Sequence, residues 1–196
     1  MEALDSEYAH NKPIEMNETG YYPIWYEGDK IGASRVEAWE FIVGGGAGFN
    51  QLNGLYTARN PGGVTPDNIK ILETLRNLMH FMYSFEFEKM RQDKNSIIGG
   101  IPQGAIYRCI SEPGRQYALY IHHSVLTGNN LMYMVMPGNY SADLEIDMPE
   151  GTYRADWVDP ESGAVILGSA FAHSGGVRSL SSPEYKVDIA LRIKAM

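Results

Sequence analysis

Lys12-Pro13-Ile14-Glu15-Met16-Asn17-Glu18-Thr19-Gly20 is the stretch on which the fold reading turns. Lys12 to Asn17 has the make-up of a short buried strand. Pro13 sits at its start, where a missing N–H is tolerated. The strand delivers a carboxylate, Glu18, to a loop opened by Gly20. Strict strand alternation points Glu15 with Asn17 and Glu18 with Met16 unless the strand bends. A carboxylate held on a rigid element beside a loop is a candidate catalytic group.

Downstream, Gly20 to Gly32 is an aromatic loop carrying Tyr21, Tyr22, Trp25 and Tyr26. Ser34, with Glu37 three residues on, has the form of a capping box and predicts a helix from there to about Val43. Val36, Trp39 and Val43 lie near one face, and Gly44-Gly45-Gly46 stops the helix. A second strand is expected over 47–52. Thr65-Pro66 starts the clearest helix, an N-cap followed by proline at the first helical position. Ile69, Leu72, Leu75, Leu78, Met79 and Met82 keep helical spacing within it. Strand–helix–strand–helix order implies β/α units from a parallel sheet or barrel.

From Ile97 the period changes to two. Tyr117, Leu119 and Ile121 alternate with Ala118, Tyr120 and His122. Leu144, Ile146 and Met148 alternate with acids. Val187, Ile189, Leu191 and Ile193 alternate with largely polar residues. Such strands are expected to have one dry face and one wet face. Turn clusters recur at Glu112-Pro113-Gly114, Gly128-Asn129-Asn130, Pro137-Gly138-Asn139, Pro149-Glu150-Gly151 and Asp159-Pro160-Glu161-Ser162-Gly163. Seven or eight short strands at this spacing predict an antiparallel sandwich. The expected class is α+β: a partial (β/α) barrel remnant over residues 1–95, then an antiparallel β-sandwich over 96–196, with the two parts closely packed.

Composition narrows the partners. The net charge of -8 argues against nucleic acid or an anionic membrane surface. No apolar run approaches membrane-spanning length. Residues 1–11 lack the basic start and apolar core of a leader. Cys109 is the only cysteine and reads as core. Gly44 to Gly48 is not followed by the Lys-Ser/Thr of a phosphate loop. His122 and His123 are adjacent on a strand and face opposite sides. His10, His80 and His173 have no ligand spacing, so neither a metal nor any other cofactor is expected. Arg35 reads as a solvated helix residue, with pairing to a site carboxylate as the alternative. Tyr153, Trp157 and Asp159 read as sandwich core and turn.

Lys12-Pro13-Ile14 through Asn17-Glu18-Thr19-Gly20 resembles the seventh strand of (β/α)8-barrel glycoside hydrolases, which ends in the nucleophile. Arg35-Val36-Glu37-Ala38-Trp39-Glu40-Phe41, with Gly44-Gly45-Gly46-Ala47-Gly48, is similar to their next helix and the turn into the eighth strand. Pro137-Gly138-Asn139-Tyr140, the run Gly151 to Pro160, and Asp188-Ile189-Ala190-Leu191 resemble the collagen-binding-type β-sandwich that follows such barrels. The nearest family is the apiosidase-like barrels with that C-terminal module.

The resemblance implies a fragment of a bacterial retaining glycoside hydrolase acting on a plant- or host-derived glycan. Its full-length relatives are secreted or periplasmic. Glu18 is the implied nucleophile. Asn17, Tyr21, Tyr22, Trp25, Asn50, Asn53 and Tyr56 are the implied sugar-binding residues. A whole barrel takes about 250 residues, so strands one to six are missing. The general acid/base, expected after strand four, is missing with them. The chain is expected to be inactive alone. Its implied partners are a carbohydrate, a missing N-terminal barrel portion, or a second copy. The alternative is a non-catalytic carbohydrate- or matrix-binding sandwich module.

Overall fold

The computed structural model describes residues 2–21, 26–51, 57–127 and 132–196. A short helix, α1 (Glu2–Tyr8), precedes β1 (Glu15–Thr19), α2 (Lys30–Val43), β2 (Gly48–Gln51) and α3 (Pro66–Tyr83). β1 and β2 pair in parallel, Glu15 opposite Gly48 and Met16 opposite Phe49. This is the strand–helix–strand–helix order read from the sequence.

The helix ends follow from local chemistry, with one correction. α3 starts at Thr65, whose hydroxyl accepts from Asn68 N while the Asn68 side chain accepts from Thr65 N, a complete capping box. α2 does not start at Ser34. Asp29 is its N-cap, accepting from Gly32 N at 2.9 Å. Ser34 lies one turn inside, fully buried, and accepts a hydrogen bond from Gln51 Nε2 at 2.7 Å. Asp29 and Ser34 are residues of similar capping strength, and Ser34 is taken up by its contact with Gln51. α2 is capped by Gly44, and Gly45 follows at φ +98°, where a Cβ would sit 2.6 Å from the Tyr8 ring.

After a 3-10 turn (Phe87–Lys89), nine strands follow among the described residues. They are β3 (Arg91–Gln92), β4 (Ile97–Gly99), β5 (Ile106–Glu112), β6 (Gln116–His122), β7 (Ser124–Thr127), β8 (Met132–Val135), β9 (Asp143–Val158), β10 (Val165–Ser181) and β11 (Asp188–Ala195). Seven form one antiparallel sheet, ordered β10-β9-β11-β6-β5-β3 with β4 also on β9; β7 and β8 pair separately.

Two expectations about this sheet are corrected. Its strands are not all short, and Pro149-Glu150-Gly151 is not a turn between strands. β9 runs through it for 16 residues, opposite the 17 of β10. Gly175 and Gly176, at φ +89° and +85°, lie on β10 opposite this point. Pro149 and the glycine pair mark a bend of the kind that lets a long hairpin turn a corner. The first half of β9 thus comes over its own sheet. Leu144, Ile146 and Met148 share a core with Leu119, Ile121, Trp157, Leu191 and Ile193. The true turn is Asp159 to Gly163, where the Asp159 carboxylate accepts from Glu161 N and Ser162 Oγ.

The face expected to be wet is dry. All seven residues of β6 are buried. Ala118, Tyr120 and Ala190 meet Ala38, Trp39, Leu78, Phe81 and Met82 of α2 and α3. Trp39 stacks on Tyr120 at 5.4 Å and tilts against Phe81 at 5.0 Å. The helices cover the second face, so the β6 alternation is between two cores and not between core and water. The turn cluster at Gly128 to Asn130 lies outside the described residues.

Candidate active site

Glu18 sits on an irregularity that alternation could not anticipate. Register is regular through Met16 and Phe49, then resumes at Thr19 opposite Gln51. Asn17 and Glu18 together oppose the single residue Asn50, a β-bulge. Glu18 has φ +60°, and Asn11 is the other described residue without a glycine's freedom on that side. A glutamate there carries roughly 1–3 kcal/mol of strain. The side chain is exposed. The bulge breaks the alternation after Met16, so Glu18 is no longer bound to the face Met16 occupies.

Neighbouring groups hold the bulge from both sides. Asn50 Nδ2 donates to Asn17 Oδ1 at 2.7 Å across the strand ends, both side chains exposed. Thr19 Oγ1 donates to Glu37 Oε2 at 2.8 Å, tying the residue after Glu18 to α2. Burial raises the Glu37 carboxyl above its ordinary value, opposed by hydrogen bonds from Thr19 and Tyr21. Gln51 anchors β2 to α2 through Ser34, and among the described residues its Oε1 is a buried acceptor without a partner.

Of the residues implied as sugar-binding, Asn17 and Asn50 meet at the strand ends. Tyr21 is elsewhere in character. It is 4% exposed, its ring lies edge-on to Tyr26 at 5.2 Å, and its hydroxyl accepts from Tyr133 N at 3.1 Å. Burial pushes the hydroxyl's pKa up. Its ring is taken up by protein packing. Tyr22, Trp25, Asn53 and Tyr56 lie outside the described residues.

Beneath the strand ends, α2 carries a buried charge system that the sequence reading missed. Arg35 is not solvated. It is 5% exposed and binds Asp188 of β11 through Nε at 2.8 Å and Nη2 at 3.0 Å. Tyr120 Oη donates to the same carboxylate at 2.7 Å. Glu40, 2% exposed, accepts from Arg108 at 3.0 and 3.1 Å and from Tyr133 Oη at 2.5 Å. His122 Nε2 lies 3.2 Å from Glu40 Oε2, the oxygen that Tyr133 binds, and Ser124 Oγ lies 3.0 Å from His122 Nδ1. Arg108 reaches on to Asp5 of α1 at 2.9 Å. Burial works to raise Glu40, but His122, Tyr133 and Arg108 overcome it and hold the carboxyl down at about 2. The available signal was the placement of Arg35 and Glu40 among apolar residues on a short helix. The system fixes α2 to the sheet and thereby fixes the strand ends that α2 supports.

No group of three or more His, Cys, Asp or Glu suited to a metal ion occurs among the described residues. Cys109 is buried, and burial pushes its thiol well up.

No family model matches the chain, and no curated protein matches it. Solved structures do. The chain is similar to a structure titled glycoside hydrolase, with TM-score 0.60 and 15% identity, covering 94% of this chain and 42% of that one. It is equally similar to a glycoside hydrolase family 5 protein from Bacteroides vulgatus, with TM-score 0.60 and 13% identity over the same shares. A glucosidase from Croceicoccus marinus gives TM-score 0.57 and 12% identity, over 98% of this chain and 48% of that one. The mixed α+β fold with its antiparallel sheet is therefore one found within glycoside hydrolase structures. The chain spans less than half the length of each.

Proposed function

We propose that the chain is the C-terminal part of a retaining glycoside hydrolase acting on a plant- or host-derived glycan. Residues 1–95 supply the last two β/α units of its barrel. Residues 96–196 supply the collagen-binding-type sandwich that braces them. Glu18 is the nucleophile. It attacks the anomeric carbon as a general acid from the rest of the barrel protonates the departing oxygen. A retaining mechanism then has water release the glycosyl group from Glu18, with the acid acting as base. Asn17 and Asn50 hold sugar hydroxyls, helped by Tyr22, Trp25, Asn53 and Tyr56.

One observation carries this reading. Glu18 is an exposed carboxylate in strained backbone, on a bulge at the end of a parallel strand. Ligand sites in parallel sheets lie at that end, and strain of this kind concentrates at functional positions. The likeness in fold to glycoside hydrolases, over less than half their length, agrees with a catalytic set completed by further chain. The two buried ion systems between α2 and the sheet support the sandwich as a brace.

The test is hydrolysis of aryl-glycosides. Activity is expected only when further β/α units are supplied, in trans or fused ahead of residue 1. Glu18→Gln should abolish it, and a fluorinated slow substrate should leave a covalent adduct on the peptide containing Glu18. Activity that survives Glu18→Gln rules the assignment out.

A further inference from the structure

We propose that Glu37 of α2 and Tyr133 of β8 are positioning residues for Glu18, holding the chain that leaves the bulge so that Glu18 keeps its left-handed backbone. The catalytic consequence rests on reading Glu18 as the nucleophile; the hold itself does not. Glu18 is exposed, and its φ of +60° costs roughly 1–3 kcal/mol. Such a conformation persists only where the surroundings over-determine it. Released from them, the end of this five-residue strand would return to plain alternation, with Glu18 on the face of Met16.

The surroundings act on the residues just after Glu18. Thr19 Oγ1 donates to Glu37 Oε2 at 2.8 Å. Two residues further on, the Tyr21 hydroxyl is hydrogen-bonded to the same carboxylate and accepts from Tyr133 N at 3.1 Å. One carboxylate thus takes both anchors of the segment that follows the bulge. Tyr133 is itself fixed by its carbonyl, which accepts from Tyr26 Oη at 2.6 Å, and by its hydroxyl, which donates to Glu40 Oε2 at 2.5 Å. Tyr26 lies edge-on to Tyr21 at 5.2 Å. Tyr21, Tyr26 and Tyr133 are all buried, so water does not compete for these bonds. Packing alone would hold a phenylalanine at position 21 equally well. The hydroxyl, bonded on two sides, adds a fixed link between α2, β8 and the chain leaving β1. Tyr133 lies 112 positions beyond Tyr21. A hairpin of the C-terminal half therefore helps to set where the Glu18 carboxylate stands.

The test is NMR of the full chain. A left-handed residue brings its own amide proton and Hα close together, so Glu18 should give a strong intraresidue NOE between them. Thr19→Val keeps the shape and removes the hydroxyl, and should reduce that NOE several-fold. Thr19→Ser keeps the hydroxyl and should retain it. Tyr21→Phe should weaken the NOE as well and speed exchange of the Tyr133 amide about tenfold. An unchanged NOE in Thr19→Val or Tyr21→Phe, or its loss in Thr19→Ser, would overturn the proposal. With the rest of a barrel supplied, Thr19→Val should lower kcat about a hundredfold and leave KM little changed. An unchanged kcat would overturn the positioning role. No glycoside takes part in the NMR measurement. An NOE that responds as expected, beside activity that survives Glu18→Gln, would remove the nucleophile and leave the hold on its backbone standing.

Discussion

The antiparallel sheet and the parallel pair differ in make-up and in cover: β6 and β11 are apolar and largely buried, whereas β1 and β2 are largely polar and half exposed. β6 has a partner on each edge, β5 and β11, and a core on each face. β1 and β2 have each other, one covering helix, and an apolar groove beside them. In the sheet the Asp159 turn is closed by hydrogen bonds from Glu161 N and Ser162 Oγ. In the pair, a glutamate is held at φ +60° on a bulge, at a cost that favourable packing does not explain. The sheet is covered on both faces, whereas the pair is covered by helices on one side and carries the strained residue. The buried charges of α2 are the connection between them.

Cutting that connection should have the largest effect. Arg35→Met leaves Asp188 a buried charge with, among the described residues, only the Tyr120 hydroxyl donating to its side chain, and should cost about 3–5 kcal/mol in denaturant unfolding. Arg35→Met with Asp188→Leu should recover most of that loss. If the single change costs under about 1 kcal/mol, α2 is not held to the sheet by this pair.

Acid should separate the regions next. The Glu40 carboxyl is lowered from 4.5 to about 2 in the folded protein. Its contribution is therefore full above about pH 4.5 and lost as pH falls towards 2, a change of roughly 3 kcal/mol. Glu37, raised by burial, has the opposite sign and favours the fold at low pH. Stability measured against pH should fall steeply below 4.5 in the parent chain and much less in Glu40→Gln. Parallel curves for the two would remove Glu40 from the connection.

Hydrogen exchange reads the same contrast without mutation. Amides of β6 should open only with global unfolding, whereas those of β1 and β2 should exchange about a hundredfold faster through local opening. Equal protection would make the pair as self-sufficient as the sheet.

The smallest expected effect is the most specific. Glu18→Gly removes the penalty of positive φ and should stabilise the chain by about 1 kcal/mol, while Glu18→Ala should not. Stabilisation by both, or by neither, would show that the bulge stores no strain at this residue.

Much of this was legible in the chain order. Thr65-Pro66 marked α3, Gly44 to Gly46 closed α2, and period-two runs marked β6, β9 and β11, because capping and alternation are local rules. Ser34 misled because Asp29 offered the same local chemistry and only the contact with Gln51 distinguished them. Pro149-Glu150-Gly151 looked like a turn because the same residues serve turns and bends. Tyr21 looked like a sugar platform because exposure is not written in residue type.

Spacing along the chain was enough for α3, the end of α2, the period-two runs of β6, β9 and β11 from Ile97 onward, and the carboxylate at a strand end. Only the tertiary structure decided that Arg35 and Glu40 are buried and paired, that β6 is covered on both faces, and that Glu18 rests on a bulge. Each depends on which distant residue arrives opposite. Asp188, 153 positions from Arg35, is invisible to any local rule, yet its charge determines whether that arginine belongs to water or to the core.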